Sequence, residues 1–158
     1  MSPEERRHQV IDACIAQQQH IANIAKQEMD SAQQQSNDYG ANVDRYDSYR
    51  TKMMRSRDMY AKQLSNANAS IRVLRELLQQ PPHCIVEHGA IVETDKQRFF
   101  LSIGAGKFMV PHHAAPRQTQ DIYFAISAQT PIYLALNGRH VGDTIVFNGQ
   151  QQTIKAIF

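Results

Sequence analysis

Asn37-Asp38-Tyr39-Gly40-Ala41-Asn42-Val43-Asp44-Arg45-Tyr46-Asp47 interrupts a helical pattern that otherwise runs from Glu4 to Gln80. Gly40 is the only glycine in the first 88 residues, and no proline falls between Glu4 and Gln80. Glycine takes a positive φ without steric cost, and asparagine accepts turn geometry and caps a following helix. The stretch therefore predicts one bend near residues 37–47, with a long helix on either side.

Working outward from the bend, Ile11, Ile15, Gln18, Ala22, Ala25, Met29 and Ala32 fall at spacings of four and three. Ile21 and Ile24 widen that stripe. On the other side Met53, Tyr60, Leu64, Ala67, Ile71, Leu74 and Leu78 repeat the pattern. Such alternation is the mark of a coiled-coil seam. Residues 1–80 are accordingly expected to form an antiparallel coiled-coil hairpin, each arm about 55 Å long at 1.5 Å per residue. Large Ile and Leu residues lie far from Gly40 and Ala, Gln and Met near it, which makes the tip slender and the base thick. Ser2-Pro3-Glu4-Glu5 predicts the start of the first helix: a serine cap, proline at the first position, and acids against the positive end of the helix dipole.

Asp44 and Asp47 stand three apart at the start of the second arm, a spacing that puts both carboxylates on one face where they can grip a cation. Compensation of the helix dipole is the other reading of this pair. Beyond them Arg50, Lys52, Arg55 and Arg57 form a basic stretch, either ordinary surface charge or a patch facing phosphates.

A net charge of +2 is too small to indicate nucleic-acid binding by itself. The first 80 residues hold 11 Lys/Arg and 10 Asp/Glu, a balance typical of solvated helix faces. Cys14 and Cys84 stand far apart, neither at metal-ligand spacing, and the N-terminus has no apolar signal region. Nor does any run reach the roughly 18 apolar residues of a membrane span. These features predict a reduced, cytoplasmic protein with no membrane partner.

Composition changes at Pro81-Pro82, which ends the helical pattern. Residues 81–158 are expected to form a second domain. Strands are expected over residues 89–94, 98–103, 107–110, 121–126, 143–147 and 153–158, with a short helix from Pro131 to Leu136. Asn148-Gly149 signals a hairpin. The fold class is thus α+β. Gly104-Ala105-Gly106 lacks the Lys-Ser/Thr of a phosphate loop. His112-His113 reads as a solvated polar loop, and His83-Cys84 as linker rather than a nucleophile pair.

One segment resembles a known family. Ile126-Ser127-Ala128-Gln129-Thr130-Pro131-Ile132-Tyr133-Leu134-Ala135-Leu136-Asn137-Gly138-Arg139-His140-Val141-Gly142-Asp143 is similar to the C-terminal signature of the GreA/GreB transcript-cleavage factors, and Gly89-Ala90-Ile91-Val92 to the strand opening the same domain. The resemblance implies an FKBP-like antiparallel β domain with one short helix, behind a coiled coil that enters the secondary channel of bacterial RNA polymerase. It further implies that Asp44 and Asp47 help hold an Mg²⁺ shared with the polymerase and so promote cleavage of backtracked RNA. Arg50, Lys52, Arg55 and Arg57 would face the nascent RNA 3′ end, and Thr130-Pro131 would dock on the polymerase. The factor would be a monomeric accessory to transcription elongation, not an enzyme alone. The chain departs from the family's tip in carrying Asp47 for Glu, and Ser48-Tyr49-Arg50-Thr51 in place of Asn-Ala-Glu-Tyr. Two other readings remain: a regulator that occludes the channel without cleavage, and a coiled-coil scaffold unrelated to transcription.

Overall fold

A computed structural model describes residues 2–38, 47–111 and 120–158. Helix α1 spans Pro3–Asp38 and α2 spans Asp47–Leu78. Strands β1 (Ile91–Thr94), β2 (Arg98–Leu101), β3 (Gly106–Pro111) and β4 (Gln120–Ile126) follow, then α3 (Pro131–Leu136), β5 (Thr144–Phe147) and β6 (Gln150–Ile157). The bend residues 39–46 and the loop 112–119, with His112-His113, lie outside the described residues. The chain divides into two compact units, one of residues 16–72 and one of residues 1–15 with 73–158. The composition break at Pro81-Pro82 thus falls inside the second unit, just after α2 ends.

α1 begins where its sequence predicts, through a reciprocal capping box. Glu5 N–H donates to Ser2 Oγ at 3.1 Å and Ser2 N–H to Glu5 Oε2 at 2.8 Å. In the helical unit, Gln18, Ala22, Ala25, Ala32, Ser36, Ala67 and Ile71 are buried. Arg57 donates to Gln33 Oε1 at 2.6 Å, and Tyr49 Oη to Gln35 Oε1 at 3.4 Å. Ile21 and Ile24 are exposed, so the buried stripe there is narrower than the sequence suggests.

In the second unit the strand order is β3-β4-β2-β1-β6-β5. The expected antiparallel sheet is in fact mixed, because β2 and β4 pair in parallel through Phe99↔Phe124, Phe100↔Ala125 and Leu101↔Ile126. β4 lies between β2 and β3 for a physical reason. Tyr123 and Ala125 are buried on one face and Ile126 on the other, as an inner strand requires, whereas β3 exposes Lys107, Met109 and Pro111. Proline suits an edge, where its missing N–H breaks no ladder bond. β1 starts two residues later than expected, since Gly89 (φ 92) belongs to the entering loop. β6 starts three residues earlier, because Asn148 (φ 51) and Gly149 (φ 74) make a two-residue turn that pairs Phe147 with Gln150.

Each face of the sheet has its own core. Ile91, Phe100, Phe108, Val110, Tyr123 and Ala125 pack with Val10, Ile11, Cys14, Leu74 and Leu77 from the helix bases. Val92, Phe99, Leu101, Ile126, Ile145 and Ile154 pack with Val86 and with Ile132, Tyr133 and Leu136 of α3. Each such side chain, fully buried, stabilises by about 1.5–3 kcal/mol relative to exposure.

Candidate functional site

The acids at the bend occupy the part of the chain least described. Asp44 lies outside the described residues, and Asp47 is the first residue of α2, its side chain likewise outside them. The oxygen-only donor set of two carboxylates at this spacing suits Mg²⁺ chemically, provided that other groups complete an octahedron. Among the described residues no group of three or more His, Cys, Asp or Glu side chains could hold a metal ion.

The basic stretch does not form one patch. At 100° per residue, Arg50 and Arg57 lie within about 20° of each other on α2, and Lys52 and Arg55 within about 60° on the opposite side. Arg50, Lys52 and Arg55 are exposed. Arg57 is half-buried and engaged, donating to Gln33 Oε1 at 2.6 Å and to Asp58 Oδ1 at 2.8 Å. A guanidinium held this way spans two helices and is not poised for a phosphate.

Thr130 and Pro131 sit at the start of α3. Thr130 is its N-cap by backbone, with φ −84 and ψ 145, but its Oγ1 donates back to Ser127 O at 2.8 Å instead of capping the helix. Pro131 takes the first helical turn, where its missing N–H leaves nothing unsatisfied.

The rest of the 126–143 segment follows the same logic. Gly138 (φ 81) closes α3 and donates to Val86 O at 2.7 Å, while Val86 N–H donates to Arg139 O at 2.9 Å. Gly142 (φ 91) donates to Ile154 O at 2.8 Å, and Asp143 Oδ2 accepts from His140 N–H at 2.7 Å. The matched positions thus cap, turn or bury. Leu134 and Val141, between them, are 68% and 56% exposed.

A charged cluster that sequence reasoning missed joins α1 to the sheet. Arg6 Nη2 meets Asp121 Oδ2 at 2.6 Å and donates to Tyr123 Oη at 3.0 Å; Tyr123 Oη donates to Glu93 Oε1 at 2.5 Å. Arg98 lies 3.8 Å from Asp121 and 4.0 Å from Glu93, and both guanidiniums stand over the Tyr123 ring. Burial pushes the Tyr123 hydroxyl well above its usual range, helped by Glu93 and opposed by Arg6. Burial pulls Arg6 down, but Tyr123 and Asp121 outweigh it, so its net shift is upward.

Arg7, next to it, is fully buried. Its Nη1 donates to Gly89 O at 2.5 Å, Nη2 to Leu77 O at 2.8 Å and Nε to Gln80 O at 3.3 Å. Burial lowers its pKa. In the sequence, Arg6-Arg7 looks like any solvated helix charge. Asp121 and Tyr123 for Arg6, and Leu77, Gln80 and Gly89 for Arg7, all lie more than 65 positions away, so no local pattern could have found them.

No family model, curated protein or solved structure matches the chain.

Proposed function

We propose that this protein is a Gre-like transcription elongation factor that works through bacterial RNA polymerase. The observation that carries the reading is the 126–143 segment, about eight of whose positions match the family signature at its spacing. Each of the matched glycines, the proline and the aspartate has a local structural task, so the spacing reflects a specific small fold rather than chance composition. Two long helices, with Asp44 between them in sequence and Asp47 at the start of the second, are the second support.

On this reading α1 and α2 form an antiparallel coiled-coil hairpin, to which the Arg57–Gln33 and Tyr49–Gln35 bonds lend support. The second unit is FKBP-like and docks on the polymerase through Thr130-Pro131. The hairpin enters the secondary channel, and Asp44 and Asp47 contribute carboxylate oxygens to an Mg²⁺ otherwise held by the polymerase and the RNA. Asp44 and Asp47 would help hold the ion there, and the chemistry it would supply is Lewis-acid activation of water for hydrolysis of the backtracked transcript. Asp44 and Asp47 alone would bind it weakly, because Mg²⁺ gives up its waters reluctantly. Arg50, Lys52 and Arg55 remain available to the RNA 3′ end; Arg57 serves the hairpin. The factor acts as a cytoplasmic monomer and is not itself an enzyme. No helix of the described residues is long and apolar enough to cross a membrane.

The test uses stalled, backtracked elongation complexes with labelled RNA. Added protein should shorten the transcript in the presence of Mg²⁺, and Asp44→Ala or Asp47→Ala should abolish shortening while leaving polymerase binding intact. Binding without shortening would leave a channel-occluding regulator. No binding at all would sink both and favour a scaffold.

A further inference from the structure

Arg7 is a buried cation that, among the described residues, bonds to no carboxylate; its three partners there are main-chain carbonyls. Two of them, Leu77 O and Gln80 O, come from the end of α2 and the turn that follows, where the helix dipole is negative; Leu77 O also accepts from Gln80 N–H at 3.1 Å, so Arg7 fills its second lone pair. The third, Gly89 O, belongs to the loop entering β1. One side chain from the first turns of α1 therefore ties the start of the chain to the end of α2 and to the loop entering β1. Gly89 makes the approach possible, since a Cβ there would lie 2.8 Å from Leu77 Cδ2. Beside this joint lie Val10, Ile11, Cys14, Leu74 and Leu77, which cover one face of the sheet. The core on the opposite face contains no residue of α1 or α2.

We propose that Arg7 is a latch holding the helix bases on the sheet, and that its loss lets the bases open locally while the strands stay paired. Such an opening breaks the three Arg7 bonds together with the Arg6 bonds to Asp121 and Tyr123 and the packing of Val10, Ile11, Cys14, Leu74 and Leu77, and of these only the Arg7 bonds are made by a fully buried charge.

The chain carries its own reporter. Cys14 is fully buried in the core under the helix bases, and burial pushes its thiol up to about 12, so it reacts only when that core opens. Cys84 is exposed and would mask it. In a full-length Cys84→Ser protein, Cys14 is labelled with an aromatic disulfide reagent, and amide exchange is followed over Phe99–Leu101. Arg7→Met should speed labelling roughly a hundredfold, with exchange in those amides unchanged. Arg7→Lys keeps the charge but loses the planar fork, and should give a smaller rise, roughly tenfold. Unchanged labelling in Arg7→Met would overturn the latch and make Arg7 a passive buried ion that an apolar side chain replaces without loss. Strand exchange rising in step with labelling, or failure of both variants to fold, would equally overturn it, because base and sheet would then open as a single unit.

Discussion

Replacing Gly89 with alanine imposes two separate strains. The backbone there has φ 92, a region that an L side chain occupies at a cost of about 1–2 kcal/mol. The added Cβ would also lie 2.8 Å from Leu77 Cδ2 and 2.8 Å from Gln80 Oε1. Gln80 has a flexible amide that can swing away, but Leu77 is 3% exposed and packed among Val10, Ile11 and Cys14. Pushing it aside is an overpacking strain of about 1–3 kcal/mol. The sum is about 2–5 kcal/mol, which lowers Tm by about 4–20 °C for a chain of this size. Gly138 supplies the control. Its φ is 81 and nothing lies within 4 Å of its Cβ position, so Gly138→Ala carries the backbone term alone. Thermal unfolding followed by circular dichroism should rank Gly89→Ala well below Gly138→Ala. Equal destabilisation would refute the argument, since it would mean that the end of α2 does not press on the loop at Gly89.

Further consequences concern pH and the helical unit. The Cys14 thiol rises from its ordinary 9.0 to about 12 in the folded state, so the unfolded chain loses that proton first. The stability tied to this group is fully present below pH 9.0 and is lost as pH rises towards about 12, with a slope of up to about 1.4 kcal/mol per pH unit. Urea unfolding of Cys14→Val should show a flatter alkaline limb than the parent; an unchanged limb would assign it elsewhere. In the helical unit, a double-mutant cycle of Arg57→Ala with Gln33→Ala should give a coupling of about 0.5–1.5 kcal/mol by thermal unfolding, and Lys52→Ala with Gln33→Ala none.

Much of the secondary structure was legible because its signals are local. Proline at position 131 with apolar residues after it placed α3 at Pro131–Leu136, as observed. Asn148-Gly149 placed the last hairpin, because both residues must take positive φ and these two types tolerate it. The start of α1 was legible from its serine cap and first-position proline, while the return bond between Ser2 N–H and Glu5 came only with the structure. Strand order was not. Period-two alternation shows that a strand has an apolar face but not which neighbour it meets, so the parallel β2–β4 pairing stayed hidden. The candidate site divides similarly. Asp44, Asp47 and the basic residues are sequence features, and helical spacing alone separates Arg57 from Lys52 and Arg55 around α2, yet only the structure shows that Arg57 is engaged by Gln33.

The sequence by itself determined where α1 begins and where α3 and the last hairpin lie, because caps, glycines and prolines act within a few residues. It also determined the two-part composition and the spacing of the 126–143 segment. Tertiary structure decided which charges leave solvent. Arg7 and Arg6 carry no sequence mark that separates them from Arg50 or Arg55; Arg7 is buried and Arg6 half-buried because Gly89, Asp121 and Tyr123 arrive from distant strands and loops. It also decided the width of the apolar stripe. At the base Val10, Cys14 and Leu77 join it, since the sheet covers a second side of each helix there, while Ile21 and Ile24 stay exposed. Helical periodicity records one buried side, and contact with a second partner adds a side that periodicity does not encode.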